Sequence, residues 1–260
     1  MQGNNKRYKR LIFDADHTLL DYLADERAAF VRTYAALNMP LSEELLALSR
    51  HASETAWTEA GLYDVHDKNT QEKYHLFYRS HLEEVFTRVF AAFPCPKKDI
   101  TPRLAGDMFL KELETGGNYI AGAEETLCAL SDKTGGSYEI YIATNGLSEI
   151  QRGRLQGLNE YLHGVYISEE IGAIKPLPAF FNAILKDGVK AGECLMIGDS
   201  LSSDIAGAHA VGMDACWFNP KGLRSDGAPA PEYEIRGLSE LTLLKKQSII
   251  KREKDDHFGY

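Results

Sequence analysis

The sequence is poor in several features that would settle its class at once. It holds four cysteines in 260 residues: Cys95, Cys128, Cys194 and Cys216. None is spaced as CxxC and none sits in a histidine pattern, so neither a disulfide framework nor a zinc site is indicated. They read as small buried hydrophobes of a reducing compartment. No apolar run approaches the roughly 20 residues that cross a bilayer. Met1–Arg10 is polar and basic, without the apolar stretch a secretory leader carries. The expected location is therefore the cytoplasm, with no membrane partner. Positive charge is also in deficit, the formal net charge being -9. That argues against a nucleic-acid polymer as partner, since such binding rests on cations that neutralise phosphates. A small phosphorylated metabolite stays open, because one local cation or metal offsets its charge. No internal repeat or low-complexity tract is present.

What is there is ordinary globular material, 44% apolar and 26% charged. Arg10–Phe13 is a short apolar run that ends at Asp14, the length and composition of a buried parallel strand. Similar runs recur at Tyr138–Ala143, Val165–Ser168, Cys194–Ile197 and Ala215–Phe218. Helical stretches alternate with them: Ala121–Ser131, Ser148–Gly157, Ala179–Asp187 and Ser202–Val211. This alternation predicts an α/β fold, a parallel sheet with helices on both faces.

From about Tyr22 to Leu113 the rhythm breaks, and no strand is convincing. Ala28, Val31, Tyr34 and Ala35 share one helical face. So do Leu45, Leu48 and Ala52, and then Tyr74, Phe77, Tyr78, Leu82, Val85 and Phe86. Pro40, Gly61, Pro94, Pro96 and Pro102 punctuate the segment. The reading is an all-helical insertion of about four helices, with residues 22–114 as one domain and 1–21 plus 115–260 as the other. Thr115-Gly116-Gly117 is the expected exit hinge. Lys245–Tyr260 is highly charged and reads as a terminal helix.

Ligands of open parallel sheets bind beyond the C-terminal strand ends. The first strand delivers Asp14-Ala15-Asp16-His17-Thr18 there. The others deliver Thr144-Asn145-Gly146, Lys175-Pro176, and Gly198-Asp199 with Asp204. Singly, each has a plain reading as a cap, turn or solvated loop residue. Four successive strand ends bearing Asp/Asp, Thr, Lys and Asp/Asp point together to one chemistry.

Asp14-x-Asp16-x-Thr18-Leu19-Leu20-Asp21 resembles the first motif of the haloacid dehalogenase-like superfamily. Thr144-Asn145-Gly146 is similar to its second motif, Lys175 to its third, and Gly198-Asp199-Ser200-x-x-x-Asp204 to its fourth. The helical insertion after the first motif resembles the C1-type cap of subfamily IA. The resemblance implies a Rossmann-like core and a Mg²⁺-dependent phosphatase acting through an aspartyl-phosphate. It implies Asp14 as nucleophile, and Asp16 as the acid that protonates the leaving oxygen and then the base that activates water. Thr144 and the backbone N–H of Asn145 would hold phosphoryl oxygens, and Lys175 would neutralise charge on both the phosphoryl group and Asp14. Asp14, Asp199 and the backbone carbonyl of Asp16 would be the hard oxygen ligands Mg²⁺ prefers. Asp204 would orient a metal-bound water or Lys175. Thr18 would support the loop or merely cap a helix. His17 is expected to point away from the site.

The Asp at position 16 favours an oxygen leaving group over a halide. The Asp14–Asp16 start, the Thr-Asn-Gly motif and Ile171–Pro178 resemble the YjjG-type pyrimidine 5′-nucleotidase branch. A nucleoside 5′-monophosphate is therefore the favoured partner, bound by a monomer or homodimer. The aromatics Trp57, Tyr63, Tyr74, Phe77 and Tyr78 would stack a base or form the insertion's own core. Glu169 and Ile174 would shape the Lys175 loop. Phosphosugar phosphatase and phosphomutase are the alternatives within the superfamily. A catalytically silent binding module is the alternative outside it.

Overall fold

The computed structural model describes residues 8–225 and 229–246. The elements run β1 (Arg10–Phe13), α1 (Tyr22–Ala36), α2 (Glu43–Glu59), α3 (Lys68–Ala92), α4 (Pro102–Glu114), α5 (Ala123–Leu130), β2 (Glu139–Thr144) and α6 (Ser148–Arg154). They continue β3 (Gly164–Ile167), α7 (Ser168–Ile171), α8 (Pro178–Ile184), β4 (Cys194–Gly198), α9 (Ala206–Ala210), β5 (Asp214–Phe218) and β6 (Tyr233–Ile235). Among the described residues six strands form one sheet in the order β3-β2-β1-β4-β5-β6, every neighbouring pair parallel. This is the doubly wound order, which opens a crevice where the winding reverses, beside β1.

The period-two alternation of strand side chains divides the core. Leu11 and Phe13 pack with Ile140, Ile142, Leu195 and Ile197 on one face, under Leu127 of α5 and Leu241 of the C-terminal 3₁₀ segment. Ile12 packs with Met196, Ala215 and Trp217 on the other, against Phe180, Phe181 and Ile184 of α8. The central strands β1, β4 and β5 are buried along their whole length and mostly apolar, as parallel strands between helical layers require, while the edge strands β3 and β6 are half-buried.

The expected strands lie within a residue of their observed bounds. β6 was not anticipated, because Tyr-Glu-Ile is too short to carry a pattern. The expected helix Ser202–Val211 is in fact a π-helical turn over Leu201–Ile205 followed by α9. The expected terminal helix Lys245–Tyr260 lies outside the described residues beyond Lys246.

Residues 22–114 form four helices, each opened by a side-chain cap: Asp21, Ser42, Asp67 and Thr101 accept from the third backbone N–H onward. Their shared core centres on Phe30, Tyr34, Phe86 and Phe109, with the rings of Phe30 and Phe109 4.5 Å apart. The buried face of α1 is Asp25, Glu26, Ala29, Phe30, Thr33 and Tyr34, rotated from the expected Ala28, Val31, Tyr34 and Ala35 face, with which it shares Tyr34. The rotation follows from two carboxylates that the apolar pattern could not foresee turning inward, each into its own set of donors. Among the described residues no helix is long and apolar enough to cross a membrane. Cys194 and Cys216 are buried as expected, but Cys128 is exposed on α5.

Candidate active site

The site begins where β1 ends. Asp14 follows Phe13, and its backbone N–H donates to the carbonyl of Ile197 on β4 at 2.8 Å, so the chain leaves the sheet against its neighbour. Thr144 is the last residue of β2, and Asp199 follows Gly198 at the end of β4. Parallel pairing in register, Phe13 opposite Ile142 and Ile197, sets these three ends within one residue of each other. Lys175 arrives from the loop between α7 and α8. Its Nζ donates to Asp14 Oδ1 at 2.6 Å, to Asp204 Oδ1 at 2.7 Å and to the carbonyl of Ala143 at 2.8 Å. Lys175 is only 2% exposed, so all three of its protons are spent on protein oxygens.

Asn145 holds that lysine in place. Its Oδ1 accepts from the Lys175 N–H and its Nδ2 donates to the Lys175 carbonyl. Asp204 accepts from Lys175 with one oxygen and from the Ser200 N–H with the other, at 3.1 Å. Both oxygens being engaged, Asp204 suits an orienting role. Gly198 is required beside it, since any Cβ there would collide with the Asp204 carboxylate. The Asp199 carbonyl accepts from the Trp217 indole at 2.9 Å, which fixes the turn carrying the carboxylate.

Carboxylate oxygens of Asp14, Asp199 and Asp204 all lie within 4.8 Å of one another. Burial pushes the Asp14 carboxyl up to about 7, with Lys175 opposing the rise and Asp204 adding to it. Asp199 is pushed up to about 7 by burial and by Asp14. Burial likewise raises Asp204, and the same acids raise Lys175 against its own desolvation. Three acids thus share one ammonium, a deficit of positive charge that a divalent cation would fill. The donors are hard oxygens with no histidine or cysteine among them, which fits Mg²⁺.

The carboxylate of Asp16 turns aside from this cluster. Arg154 Nη1 donates to its Oδ1 at 2.5 Å and Gln151 Nε2 to its Oδ2 at 2.7 Å. The same Gln151 nitrogen lies 2.9 Å from Thr144 Oγ1. Gln151 and Arg154, both on α6, were missed by the sequence reading, because a charged residue four places after Ile150 looks like a solvated helix end. Thr18 is fully buried with its hydroxyl unpartnered among the described residues, and the cap of α1 is Asp21 instead. His17 departs from expectation. It lines the chamber, edge-on to Tyr22, because the strand has already ended and His17 takes a left-handed φ of 62°. Strand alternation does not extend through such a turn.

Above the cluster lies a cavity of about 300 Å³, floored by Asp14, Asp16, Thr144, Asn145, Lys175 and Asp199. Trp57, Tyr63, Tyr74 and Tyr78 line its roof, while Phe77 packs on the helical core instead. Tyr74 and Tyr78 serve both purposes, being buried in that core and facing the chamber. Arg50 also lines it. Arg50 Nη1 and Ser53 Oγ donate to the buried Glu26 at 2.8 and 2.6 Å. Helix α3 reaches the core directly, with His75 Nε2 2.8 Å from Ser168 Oγ, which in turn accepts from the Gly146 N–H. Arg79 pairs with Glu169 at 3.0 Å, and Glu169 also accepts from the Ser148 N–H that opens α6.

Residues 8–212 match the family model of haloacid dehalogenase-like hydrolases. The chain belongs to that family. It is an enzyme of the phosphoric monoester hydrolase kind. It is 32% identical over 242 residues to the HAD-hydrolase YfnB of Bacillus subtilis, covering 91% of this chain and 94% of that one. The magnesium-bound crystal structure of YfnB, which reveals interdomain movement, superposes with a TM-score of 0.73 at 29% identity, over 91% of this chain and 97% of the other. The pyrimidine 5′-nucleotidase PynA of Streptococcus pneumoniae is 29% identical over 94% of this chain and 98% of its own. The pyrimidine 5′-nucleotidase YjjG of Escherichia coli is 31% identical over 56% of this chain and 65% of its own.

Proposed function

We propose that this chain is a Mg²⁺-dependent cytoplasmic phosphatase of nucleoside 5′-monophosphates, with pyrimidine nucleotides preferred. The observation that carries the reading is the Lys175 ammonium 2.6 Å from the Asp14 carboxylate, beneath an aromatic-lined chamber. Asp14, Asp199 and the backbone carbonyl of Asp16 would hold the metal. Bound there, it supplies the charge that lets a dianionic phosphate approach a carboxylate; two unit charges 4 Å apart interact by about 4 kcal/mol at an effective dielectric of about 20.

Asp14 attacks phosphorus, and the bond from phosphorus to the ester oxygen breaks. Asp16 gives that oxygen its proton, so the leaving group departs as a neutral alcohol. Asp16, now a base, takes a proton from water as that water attacks the aspartyl-phosphate, which frees Asp14 and inorganic phosphate. Thr144 and the Asn145 N–H hold the phosphoryl oxygens, and Lys175 keeps the attacking carboxylate from repelling them. Residues 22–114 act as a cap on the core formed by 1–21 and 115–260, closing over a small monoester and excluding water. The likeness to PynA and YjjG and the aromatic roof support a nucleoside, leaving through its 5′ oxygen, as the leaving group.

A panel of monophosphates with and without Mg²⁺ tests this. UMP, dUMP or dTMP should turn over faster than sugar phosphates, and only with metal. Equal or better turnover of sugar phosphates defeats the nucleotide reading; no turnover of any monoester defeats the phosphatase reading.

A further inference from the structure

Arg154 is 1% exposed and stands between the reaction centre and the roots of the insertion. Its Nη1 donates to Asp16 and its Nε to Asp25 Oδ2 at 2.8 Å. Asp25, fully buried in the first turn of α1, marks the outgoing connection. Its Oδ1 accepts from the backbone N–H groups of Gly117 and Asn118, both at 2.9 Å, and from the Asn118 side chain at 2.8 Å. Those residues are the return connection. A Cβ on Gly116 would sit 2.8 Å from the Asp25 carboxyl carbon, so the return strand passes in close contact. One unbroken series of charge-assisted bonds therefore runs from Asp16 through Arg154 and Asp25 to both connections between core and insertion.

A pin that only fastened the helices to the core would be simpler. The guanidinium fork matches a single carboxylate with two parallel bonds. Here it is divided between two carboxylates, and Nη2 is left buried with no partner among the described residues. The second carboxylate is the one the mechanism needs free to aim.

We propose that Arg154 is a positioning residue for Asp16, coupling the aim of that carboxylate to the placement of the cap. This rests on Asp16 being the acid and base of the phosphatase reaction. Arginine suits the task because it stays charged at every working pH, so the coupling is set by geometry alone. A shift of Asp25 as the helices move is transmitted to Asp16 through two bonds, and one of Gly117 through three.

The test compares leaving groups. p-Nitrophenolate departs without a proton, whereas an alkyl alcohol needs one. kcat/KM reports the first chemical step alone, since the alcohol leaves in it. Arg154→Lys keeps the charge and loses the fork. The double variant Arg154→Met/Asp25→Asn removes a buried pair rather than stranding one member. With Mg²⁺ present, kcat/KM for the best alkyl monophosphate of the panel should fall about ten- to a hundredfold, and for p-nitrophenyl phosphate by less than about threefold. The variants should also show a burst of nitrophenol, because the water step that follows still needs Asp16. Where the double variant does not fold, Arg154→Lys must show the same split. An equal fall for both esters, or no fall for either, overturns the proposal while leaving the phosphatase reading intact. Wild-type protein that turns over neither ester overturns both.

Discussion

Asn145 grips the backbone of Lys175 at both ends, accepting from its N–H at 2.8 Å and donating to its carbonyl at 3.0 Å. The side chain of the second motif thereby sets where the ammonium of the third stands. Asn145→Ala should lower kcat by about tenfold or more while costing only about 1–2 kcal/mol of stability, two hydrogen bonds' worth. Steady-state kinetics beside a denaturant melt would check this; a loss of stability with kcat intact would show that the grip is only structural.

Asp14→Asn conserves volume and removes the attacking charge. Turnover of every monoester should drop by at least about a thousandfold. The variant should still fold, and mass spectrometry should find no phosphorylated enzyme in it after mixing with substrate.

Metal removal gives a second handle on the same cluster. Protein stripped with EDTA should be inactive and regain activity with Mg²⁺. Ca²⁺, which is larger and takes more ligands at looser geometry, should restore binding without turnover. Metal-free activity equal to that with Mg²⁺ would contradict the charge deficit among Asp14, Asp199 and Asp204.

Asp25 provides a pH signature. Burial pushes its carboxyl up, but Arg154 and the N–H groups of Gly117 and Asn118 outweigh this and hold it below the usual carboxylate range. A depressed carboxylate contributes stability that is fully present above its unfolded value of about 3.9, and that is lost as pH falls through the folded value. Acid melts below about pH 4 should therefore be steeper for wild type than for Asp25→Asn. At neutral pH the variant should lose about 3 kcal/mol, the lower end for breaking a buried pair, since Arg154 keeps Asp16.

Tyr63 is 65% exposed yet lines the chamber, so truncating it removes little packing. Tyr63→Ala should raise KM for a nucleoside monophosphate about five- to a hundredfold, the worth of a lost stack. KM for glycerol phosphate should stay unchanged. A parallel rise for both would place Tyr63 outside base recognition.

The parallel sheet was legible because five of its strands are short, mainly apolar runs between helical stretches, and the residues at their ends carry the motifs in order. Asp14, Thr144, Asn145, Lys175, Asp199 and Asp204 meet in the structure as that order implied. The chamber's far side was not legible. Glu26, Arg50 and Ser53 come together from two helices whose relative rotation only packing decides, and no local period records it. Arg154 was hidden for a similar reason, its partners lying 138 and 129 residues away in sequence. His17 was misjudged because its left-handed turn ends the alternation on which its direction was reckoned.

The two connections of the insertion are laced to each other before either reaches a helix. Asp21 N–H meets the Asn118 carbonyl, and Ile120 N–H meets the Leu19 carbonyl, both at 2.8 Å, with Leu20 bridged antiparallel to Tyr119. A two-stranded ribbon bends readily out of its own plane and resists sliding of one strand along the other, since sliding breaks those bonds. Ninety-odd residues thus leave and return through one paired ribbon, which resists shearing more than tilting. Tilting about it would part His75 from Ser168 and Arg79 from Glu169, two bonds that tie α3 to the core.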